Sequence, residues 1–319
     1  MLLDVAAALD LSFATVAHPR TGVRLGWVGN PCEAATFAAP GSAIFHGNQL
    51  DARLVPFRTE DALIAALDSG TVDAASMNLP ALLKALERGS NVRVVAGLHA
   101  GCLRLLARDT LVLNTFGDFR GKIIATDRLH GPSMSLLAAI LRRQGVDPQR
   151  DVAWKVYSAP ALESALDAKL VACVATSDPL GYVLLTDHKV EPYLDSAEGG
   201  FSCGADVAPG HHCFLVLHGG VVDTRHSIAA SLTRAYLGAT ASIGRNVRPA
   251  ALAEARGPFA ADLSETLGML SSYDWNASTD LVVEELEITA RDFRRAGLLQ
   301  RTTDPEELAE RAFADVLHA

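Results

Sequence analysis

The sequence predicts an α/β fold made of two similar lobes. Its 319 residues are enough for about two domains of ordinary size. Short apolar runs alternate with helical periods, which is typical of sheets flanked by helices, and we expect mostly parallel sheets. A weak internal repeat favours two lobes. Residues 62–68 resemble residues 161–167, and both copies continue with a strand, a polar end and a helix-opening proline.

The predicted strands are short apolar runs that end in polar residues or in a turn. We expect them at residues 23–28, 53–55, 72–77, 92–96, 122–126, 152–157, 170–176 and 214–217. Because ligands in open α/β sheets bind beyond the carboxyl ends of the strands, the residues after these runs are the first candidates for a site.

The predicted helices combine apolar residues at helical spacing with start and stop signals. Three lie among the strands, at residues 61–67, 80–88 and 133–144. Four more form a C-terminal layer on one sheet, at residues 228–243, 262–272, 279–295 and 305–317. Thr59, Ser133 and Asp304 are the expected capping residues, since a Ser, Thr or Asp side chain accepts from a free N–H group at a helix start.

The charge balance excludes one class of partner. Lys and Arg number 28 and Asp and Glu 37, for a formal net charge of -9. Non-specific nucleic-acid binding needs a basic surface, so no nucleic-acid partner is expected. The sequence contains no apolar run near the 18 to 20 or so residues that span a bilayer, so we expect a soluble chain.

The N-terminal segment does not have the composition of a secretory signal. Residues 1–10 are mildly apolar, but they include acids and lack Lys and Arg. A secretory signal begins with basic residues and has a longer apolar stretch. The protein is therefore either cytoplasmic, or its export signal lies upstream or has been removed.

The five cysteines indicate neither a disulfide scaffold nor a zinc ribbon, because they are few and no CxxC pair occurs. They are Cys32, Cys102, Cys173, Cys203 and Cys213. Cys173 lies in a predicted strand and is expected to pack as a small hydrophobe. We expect no metal and no cofactor, since no standard ligand spacing occurs. The weak metal candidates are His99, Cys102, His211 and Cys213. A Cys32–Cys102 disulfide is left open.

Polar and small residues at the element ends form the candidate ligand site. We expect ligand contacts from Asn30, Cys32, Asn78, His99, Cys102, His130, Gly131, Ser133, Ser177 and His212. Ser133 stands at a predicted helix start, where free N–H groups and the helix dipole favour a carboxylate or an oxyanion. His99 and His130 would supply donors, and Asn78 and Ser177 would orient the ligand by hydrogen bonds.

Catalytic motifs are not evident in the sequence. Neither a Gly-x-Ser-x-Gly elbow nor a Walker loop occurs. The paired acids at 284–285 and 306–307 lie on predicted surface helices and are expected to be solvated. The sequence therefore favours a binding protein over an enzyme.

Five segments together carry a family resemblance. They are residues 32–39 (Cys-Glu-Ala-Ala-Thr-Phe-Ala-Ala), 61–74, 94–102, 116–125 and 145–148. In order and spacing they resemble the nitrate/sulfonate/taurine class of ABC-transporter substrate-binding proteins, whose superfamily includes the thiamine-pyrimidine synthases. The resemblance covers roughly residues 23–299. Four features depart from it. The export signal of the family is missing, and so is the cysteine-rich motif of the synthases. Val171-Ala172-Cys173 stands where Val-Asp-Ala is usual, and residues 40–43 (Pro-Gly-Ser-Ala) stand where an aromatic and basic stretch is usual.

The resemblance implies a two-lobed fold of the periplasmic-binding-protein type (type II), with a ligand cleft and two hinge crossover strands, at 103–107 and 214–217. Lobe one would comprise residues 1–103 and 215–319, and lobe two residues 104–214. The implied function is capture of a small anion or a compact organic acid by hinge closure.

The partners implied by the resemblance are a small-molecule ligand and, for an exported protein, an ABC permease and its ATPase. We expect a monomer in the periplasm or another extracytoplasmic space. The alternatives are a cytoplasmic sensor, or an enzyme similar to the thiamine-pyrimidine synthases, that keeps the two-lobed fold.

Overall fold

The structure, a computed structural model, describes residues 19–108, 113–187, 190–195, 200–201, 210–257 and 262–318. Cys203 lies outside these residues. The strands are β1 (Thr21–Trp27), β2 (Leu50–Pro56), β3 (Ala74–Asn78), β4 (Val92–His99), β5 (Leu103–Arg108), β6 (Ile123–Thr126), β7 (Ala153–Val156), β8 (Cys173–Ser177), β9 (Val190–Asp195), β10 (Gly200–Phe201) and β11 (Cys213–His218).

Helices precede and follow the strands, and five of them form the C-terminal segment. The first eight are α1 (Ala34–Phe37), α2 (Ala43–Gly47), α3 (Glu60–Asp68), α4 (Leu79–Glu87), α5 (Pro132–Arg143), α6 (Ala159–Asp167), α7 (Leu180–Asp187) and α8 (Gly219–Thr224). The C-terminal five are α9 (His226–Arg245), α10 (Arg248–Ala255), α11 (Leu263–Ser271), α12 (Val282–Arg295) and α13 (Pro305–Ala312). None of the described helices has the length and apolar character needed to cross a bilayer.

Two separate sheets confirm the predicted α/β fold with two lobes. The first has the strand order β2-β1-β3-β11-β4, and the second has the order β10-β9-β5-β8-β6-β7. We call the parts built on these sheets lobe one and lobe two. The chain passes from lobe one to lobe two between β4 and β5, and it returns before β11.

The prediction of mostly parallel sheets is wrong. The pairs of β1 with β2 and β3, and of β6 with β7 and β8, are parallel. Strand β11 is antiparallel to both β3 and β4, and β5 is antiparallel to both β8 and β9. The reason is topological: each of these two strands enters its sheet directly from the other lobe, without the crossover helix that a parallel neighbour requires.

Local capping explains where several helices begin. The side chain of Thr59 accepts from Ala62 N, as predicted for the start of α3. The side chain of Asp304 accepts from two N–H groups at the start of α13, also as predicted. The prediction that Ser133 caps α5 is wrong: Gly131 holds the N-cap position, Pro132 begins the helix, and Ser133 lies inside its first turn.

Most element boundaries differ from the prediction by a few residues, and two of the differences have a clear cause. Residues 97–99 were expected in a loop, but β4 continues to His99 because these residues pair with β11 and with a bridge at Ser278. Helix α13 ends at Ala312 rather than at 317, since the N–H of Phe313 closes the last turn and Phe313 then forms a bridge with Val94.

The first sheet is covered by apolar layers on both faces. Leu215 and Leu217 of β11 belong to one buried cluster, which includes Tyr236 of α9. The alternate residue Phe214 belongs to another, which includes Phe293 of α12. Because successive strand residues point to opposite faces, the C-terminal helices cover both faces of this sheet rather than forming one layer.

Candidate functional site between the lobes

The two connections between the lobes lie side by side at the back of the cleft. The N–H of His212 donates to the carbonyl of His99 at 3.0 Å, so the returning chain is bound to the end of β4. The N–H of Asp178, at the end of β8, donates to the carbonyl of Cys102 at 3.1 Å. The functional groups near these connections are therefore held by main-chain hydrogen bonds from both lobes.

Four sulfur and imidazole groups converge at this point. Cys32, His99, Cys102 and Cys213 each bring one donor atom to a site in which all four atoms lie within 4.8 Å of one another. We call these four residues the thiol–imidazole cluster. Three of its members are buried, and Cys32 is half-buried. The sulfurs of Cys102 and Cys213 are 3.6 Å apart, and all three thiols are free.

Three separate parts of the chain build the cluster. Cys32 lies in a short 3-10 helix, Pro31–Glu33, that follows β1. His99 is the last residue of β4, and Cys213 is the first residue of β11 and pairs with it. The register of these two strands shifts between Cys213 and Phe214, and this irregularity accompanies the pairing of Cys213 with His99.

Burial and hydrogen bonding control the charge of the cluster. Burial lowers the pKa of His99, which favours the neutral ring. Its Nε2 is 3.1 Å from the carbonyl of Cys32, and its Nδ1 is 3.3 Å from that of Ala100. Hydrogen bonds from the thiols of Cys213 and Cys32 lower the pKa of Cys102, and the same bonds together with burial keep the pKa values of Cys32 and Cys213 well above the ordinary value.

Aromatic rings enclose the imidazole of His99. It is stacked on Tyr273 with the ring centroids 5.2 Å apart, and the ring of Trp275 lies 4.7 Å away. His99 itself has no exposed surface. The structure therefore places His99 beneath the cleft surface, although the sequence suggested a strand-end donor.

A small pocket adjoins the cluster on the lobe-one side. Its volume is about 20 Å³, and its polar lining comes from Asn30, Cys32, Glu60, Asn78 and Cys213. This is room for about one water molecule. Asn78 uses both of its side-chain groups within the protein, since its Oδ1 accepts from Ala81 N at 2.9 Å and its Nδ2 donates to Glu60.

A buried carboxyl group also lines this pocket. Glu33 accepts hydrogen bonds from the N–H groups of Val28, Gly29 and Asn30, at distances of 2.8 to 3.1 Å. Burial nevertheless raises the pKa of Glu33 to about 8. These bonds shape the turn after β1, and so they position Cys32.

Basic groups from the two lobes meet at the mouth of the cleft. Arg128 of lobe two donates to Glu60 Oε2 of lobe one at 3.1 Å. Lys84 of lobe one donates to the carbonyl of His130 of lobe two at 2.9 Å. Burial lowers the pKa of Lys84, and the charges of Arg128 and Arg88 lower it further. The mouth therefore concentrates positive charge where the lobes touch.

The other predicted residues of lobe two lie near this mouth or at the hinge. His130 is exposed with φ +58. A Cβ on Gly131 would come within 3.1 Å of the carbonyl of Arg128, so a small residue fits there. Ser133 is buried, and its hydroxyl has no hydrogen-bond partner among the described residues. Ser177 ends β8 and pairs with Leu103.

His211 and His212 face a different cavity. It has a volume of about 160 Å³ and lies between α4, α5 and α12. His211 Nδ1 is 2.9 Å from Glu285, and hydrogen bonds to this carboxylate raise the pKa of His211 despite its burial. Burial lowers the pKa of His212 to about 4. Of the four weak metal candidates, His211 is thus the one that lies outside the cluster.

A buried ion pair of lobe two, which is hydrogen-bonded to Ser272 and Tyr273 of lobe one, was not predicted. Arg104 of β5 donates to both oxygens of Asp178, at 2.7 and 2.9 Å, and to Ser272 Oγ at 2.7 Å. Tyr273 donates to the same carboxylate at 2.9 Å. Asp178 follows directly after β8, and nothing local indicates its partner, which lies 74 positions away.

A second unpredicted group is Glu254 of α10. It is 6% exposed, and its Oε1 has no hydrogen-bond partner among the described residues. Burial raises its pKa to about 9, with a further contribution from the charges of Cys32 and Glu33. It lines a cavity of about 220 Å³ with Pro31 and Phe37. Its helix was absent from the prediction, which explains why the residue was missed.

Three solved structures with the same fold are named as solute-binding proteins, and their sequence identity to this chain is low. The periplasmic aliphatic sulphonate-binding protein SsuA from Escherichia coli superposes with a TM-score of 0.72 at 14% identity, covering 90% of this chain and 91% of that one. The periplasmic nitrate-binding protein NrtA from Synechocystis gives 0.72 at 12% identity, covering 93% and 87%. The alkanesulfonate-binding protein SsuA from Xanthomonas axonopodis gives 0.67 at 16%, covering 92% and 99%.

These likenesses confirm the predicted fold of the periplasmic-binding-protein type. A comparison with curated proteins found no significant sequence match. The sequence of residues 16–255 matches the NMT1-like family, and this span is more than half of the chain. The protein is therefore a member of the NMT1-like family.

Proposed function

We propose that the protein is the solute-binding component of an ABC importer and captures a small anion or a compact organic acid between its lobes. Its fold is that of proteins named for binding sulfonates and nitrate. We further propose that lobe one comprises residues 1–103 and 215–319 and lobe two residues 104–214. The protein would act as a monomer in an extracytoplasmic space and deliver its ligand, chemically unchanged, to a permease and its ATPase.

The observation that carries this proposal is the meeting of basic groups at the cleft mouth. Lys84 and Arg128 belong to different lobes, and each is bound to the other lobe. Lys84 lies close enough to Arg128 for that charge to lower its pKa. An anion held between them would relieve this repulsion and would form charge-assisted hydrogen bonds to both lobes at once.

Glu60 occupies the place that such an anion would take. Its carboxylate accepts from Asn78 of its own lobe and from Arg128 of the other. The adjoining pocket, at about 20 Å³, is too small for an organic acid. We propose that the lobes open by breaking the contact of Glu60 with Arg128. They close again on a ligand that replaces Glu60 as the hydrogen-bond partner of Arg128. Closure follows because the ligand then binds the closed form more tightly.

Replacing Arg128 with Ala tests this placement. Loss of a charge-assisted hydrogen bond to an anion is expected to weaken its binding about 10- to 100-fold. The measurement is isothermal titration of the purified protein with inorganic oxyanions, sulfonates and small carboxylates. Mass spectrometry of the recovered ligand then checks that it is unchanged.

The matched control is Arg301→Ala, because Arg301 is an exposed arginine in the loop before α13. The affinity of the Arg301→Ala variant for the anion should equal that of the unaltered protein. Equal affinity of the Arg128→Ala variant would show that the anion does not bind at this mouth. Consumption of the ligand would instead support an enzyme.

A further inference from the structure

The donor atoms of the thiol–imidazole cluster are close enough together to share one metal ion. A tetrahedral Zn²⁺ ion with Zn–S bonds of about 2.3 Å separates its sulfur ligands by about 3.8 Å. The sulfurs of Cys102 and Cys213 are 3.6 Å apart, and all four donor atoms lie within 4.8 Å of one another.

Cys173 shows how an ordinary buried cysteine of this chain differs. It lies in β8 in an apolar cluster with Leu105 and Ile124, and burial raises the pKa of its thiol to about 12. Each thiol of the cluster instead faces other donor groups. Three thiols and an imidazole from distant parts of the chain meet at one point, which packing of small apolar side chains does not require.

The imidazole of His99 can spare one ring nitrogen for a metal ion. Metal-ligating histidines usually donate their other ring N–H to a carbonyl or a carboxylate, which orients the ring. The ring nitrogens of His99 lie 3.3 Å from the carbonyl of Ala100 and 3.1 Å from that of Cys32, and a neutral ring donates to only one of them. The other nitrogen carries a lone pair, which forms no hydrogen bond with a carbonyl oxygen and is available to an ion. The ring of Tyr273 is stacked on the imidazole.

An ion has a route to the cluster. Cys32 is half-buried and, together with Cys213, lines the small pocket at the cleft. His99 and Cys102 lie beneath them and are buried. An ion would enter past Cys32 and would then be enclosed by four ligands, as in closed zinc sites.

We propose that the protein holds one Zn²⁺ ion through the three thiolates of Cys32, Cys102 and Cys213 and one ring nitrogen of His99. Binding releases the remaining thiol protons to solvent. Three thiolates and Zn²⁺ give the site a net charge of -1. Through Cys32, the ion would cross-link the turn after β1 to both connections between the lobes. This site is separate from the anion site proposed above and does not depend on it.

Cobalt provides the direct test, because tetrahedral thiolate-bound Co²⁺ is strongly coloured. The full chain is stripped with a chelator, kept reduced and titrated with Co²⁺. We expect one equivalent to give intense visible bands and a thiolate-to-metal band in the near ultraviolet, and one equivalent of Zn²⁺ to abolish them. X-ray absorption of the zinc form should then give three sulfur neighbours near 2.3 Å and one nitrogen neighbour near 2.0 Å.

Serine variants locate the ligands. Cys102→Ser and Cys213→Ser should each weaken Zn²⁺ binding by more than the roughly 10- to 100-fold that loss of a supporting residue costs. The matched control is Cys173→Ser, in a buried strand of lobe two, which should retain the full cobalt spectrum. Circular dichroism checks that each variant is folded.

Two results would overturn the proposal. One is the absence of a stoichiometric cobalt spectrum in the unaltered, reduced protein, which requires no variant. The other is an X-ray absorption spectrum dominated by oxygen ligands. Either would show that the clustered thiols do not bind the ion.

Discussion

Replacing Arg104 with Met is expected to lower the free energy of unfolding by about 3–5 kcal/mol, because it leaves a buried carboxylate without its counter-ion. Asp178 is 4% exposed and receives two hydrogen bonds from Arg104. The change also removes the hydrogen bond to Ser272 and the contact of the guanidinium with the ring of Tyr182, 5.7 Å away. Urea denaturation followed by circular dichroism measures the loss.

Two further variants separate the charge from the packing. The double variant Arg104→Met with Asp178→Asn has no buried carboxylate at position 178, and Tyr273 retains an acceptor there. Its free energy of unfolding should therefore recover in part. Arg120→Ala removes an exposed pair with Asp151 at 3.3 Å and should cost less than about 1 kcal/mol. A double variant less stable than Arg104→Met would contradict the explanation that the unpaired carboxylate of Asp178 causes the loss.

Replacing Glu254 with Gln is expected to stabilise the protein at pH 7 by about 3 kcal/mol. The carboxyl group has a pKa of about 9 in the folded protein, against an ordinary value of 4.5, because it is buried. Between these values the folded protein binds more protons than the unfolded chain. The free energy of unfolding therefore falls as the pH rises from 4.5 to about 9, and it levels off above that.

Glutamine keeps the shape of the side chain and removes its ionisation. Chemical denaturation at several pH values between 5 and 9 should thus show a flatter stability profile in the variant, with the two proteins converging near pH 4.5. Glu310→Gln alters an exposed acid on α13 and should stay within about 0.5 kcal/mol of the unaltered protein throughout. A profile for Glu254→Gln that runs parallel to that of the unaltered protein would refute the assignment.

Features that depend on neighbouring residues were predicted from the sequence. The caps at Thr59 and Asp304 and the end of α4 before Gly89 each involve residues within a few positions. The alternation of strands and helices also indicated two lobes, because each lobe repeats the same local order. Ser133 failed as a cap since Pro132 also fits the first helical position, and the sequence alone does not choose between the two registers.

Features that depend on distant pairing were predicted only in part. His99, Cys102 and Cys213 were weak metal candidates, but no regular spacing joins them to Cys32 or separates them from His211. The extension of β4 to His99 exists because β11 pairs with it. Arg104 and Asp178 carry no local sign of each other. The candidate residues of lobe one were proposed because strand ends attract polar residues, yet which of them share a site follows only from the sheet order.

The place of β11 in the first sheet has a consequence for synthesis on the ribosome. This strand lies between β3 and β4, although the whole of the second sheet separates it from them in the chain. The second sheet can form from a contiguous stretch that emerges earlier. The edges of β3 and β4 that pair with β11 remain unpaired until β11 has emerged. Such edges pair readily with other chains, and distant pairing is slow. The nascent protein is therefore most prone to aggregate just before residue 213 leaves the exit tunnel.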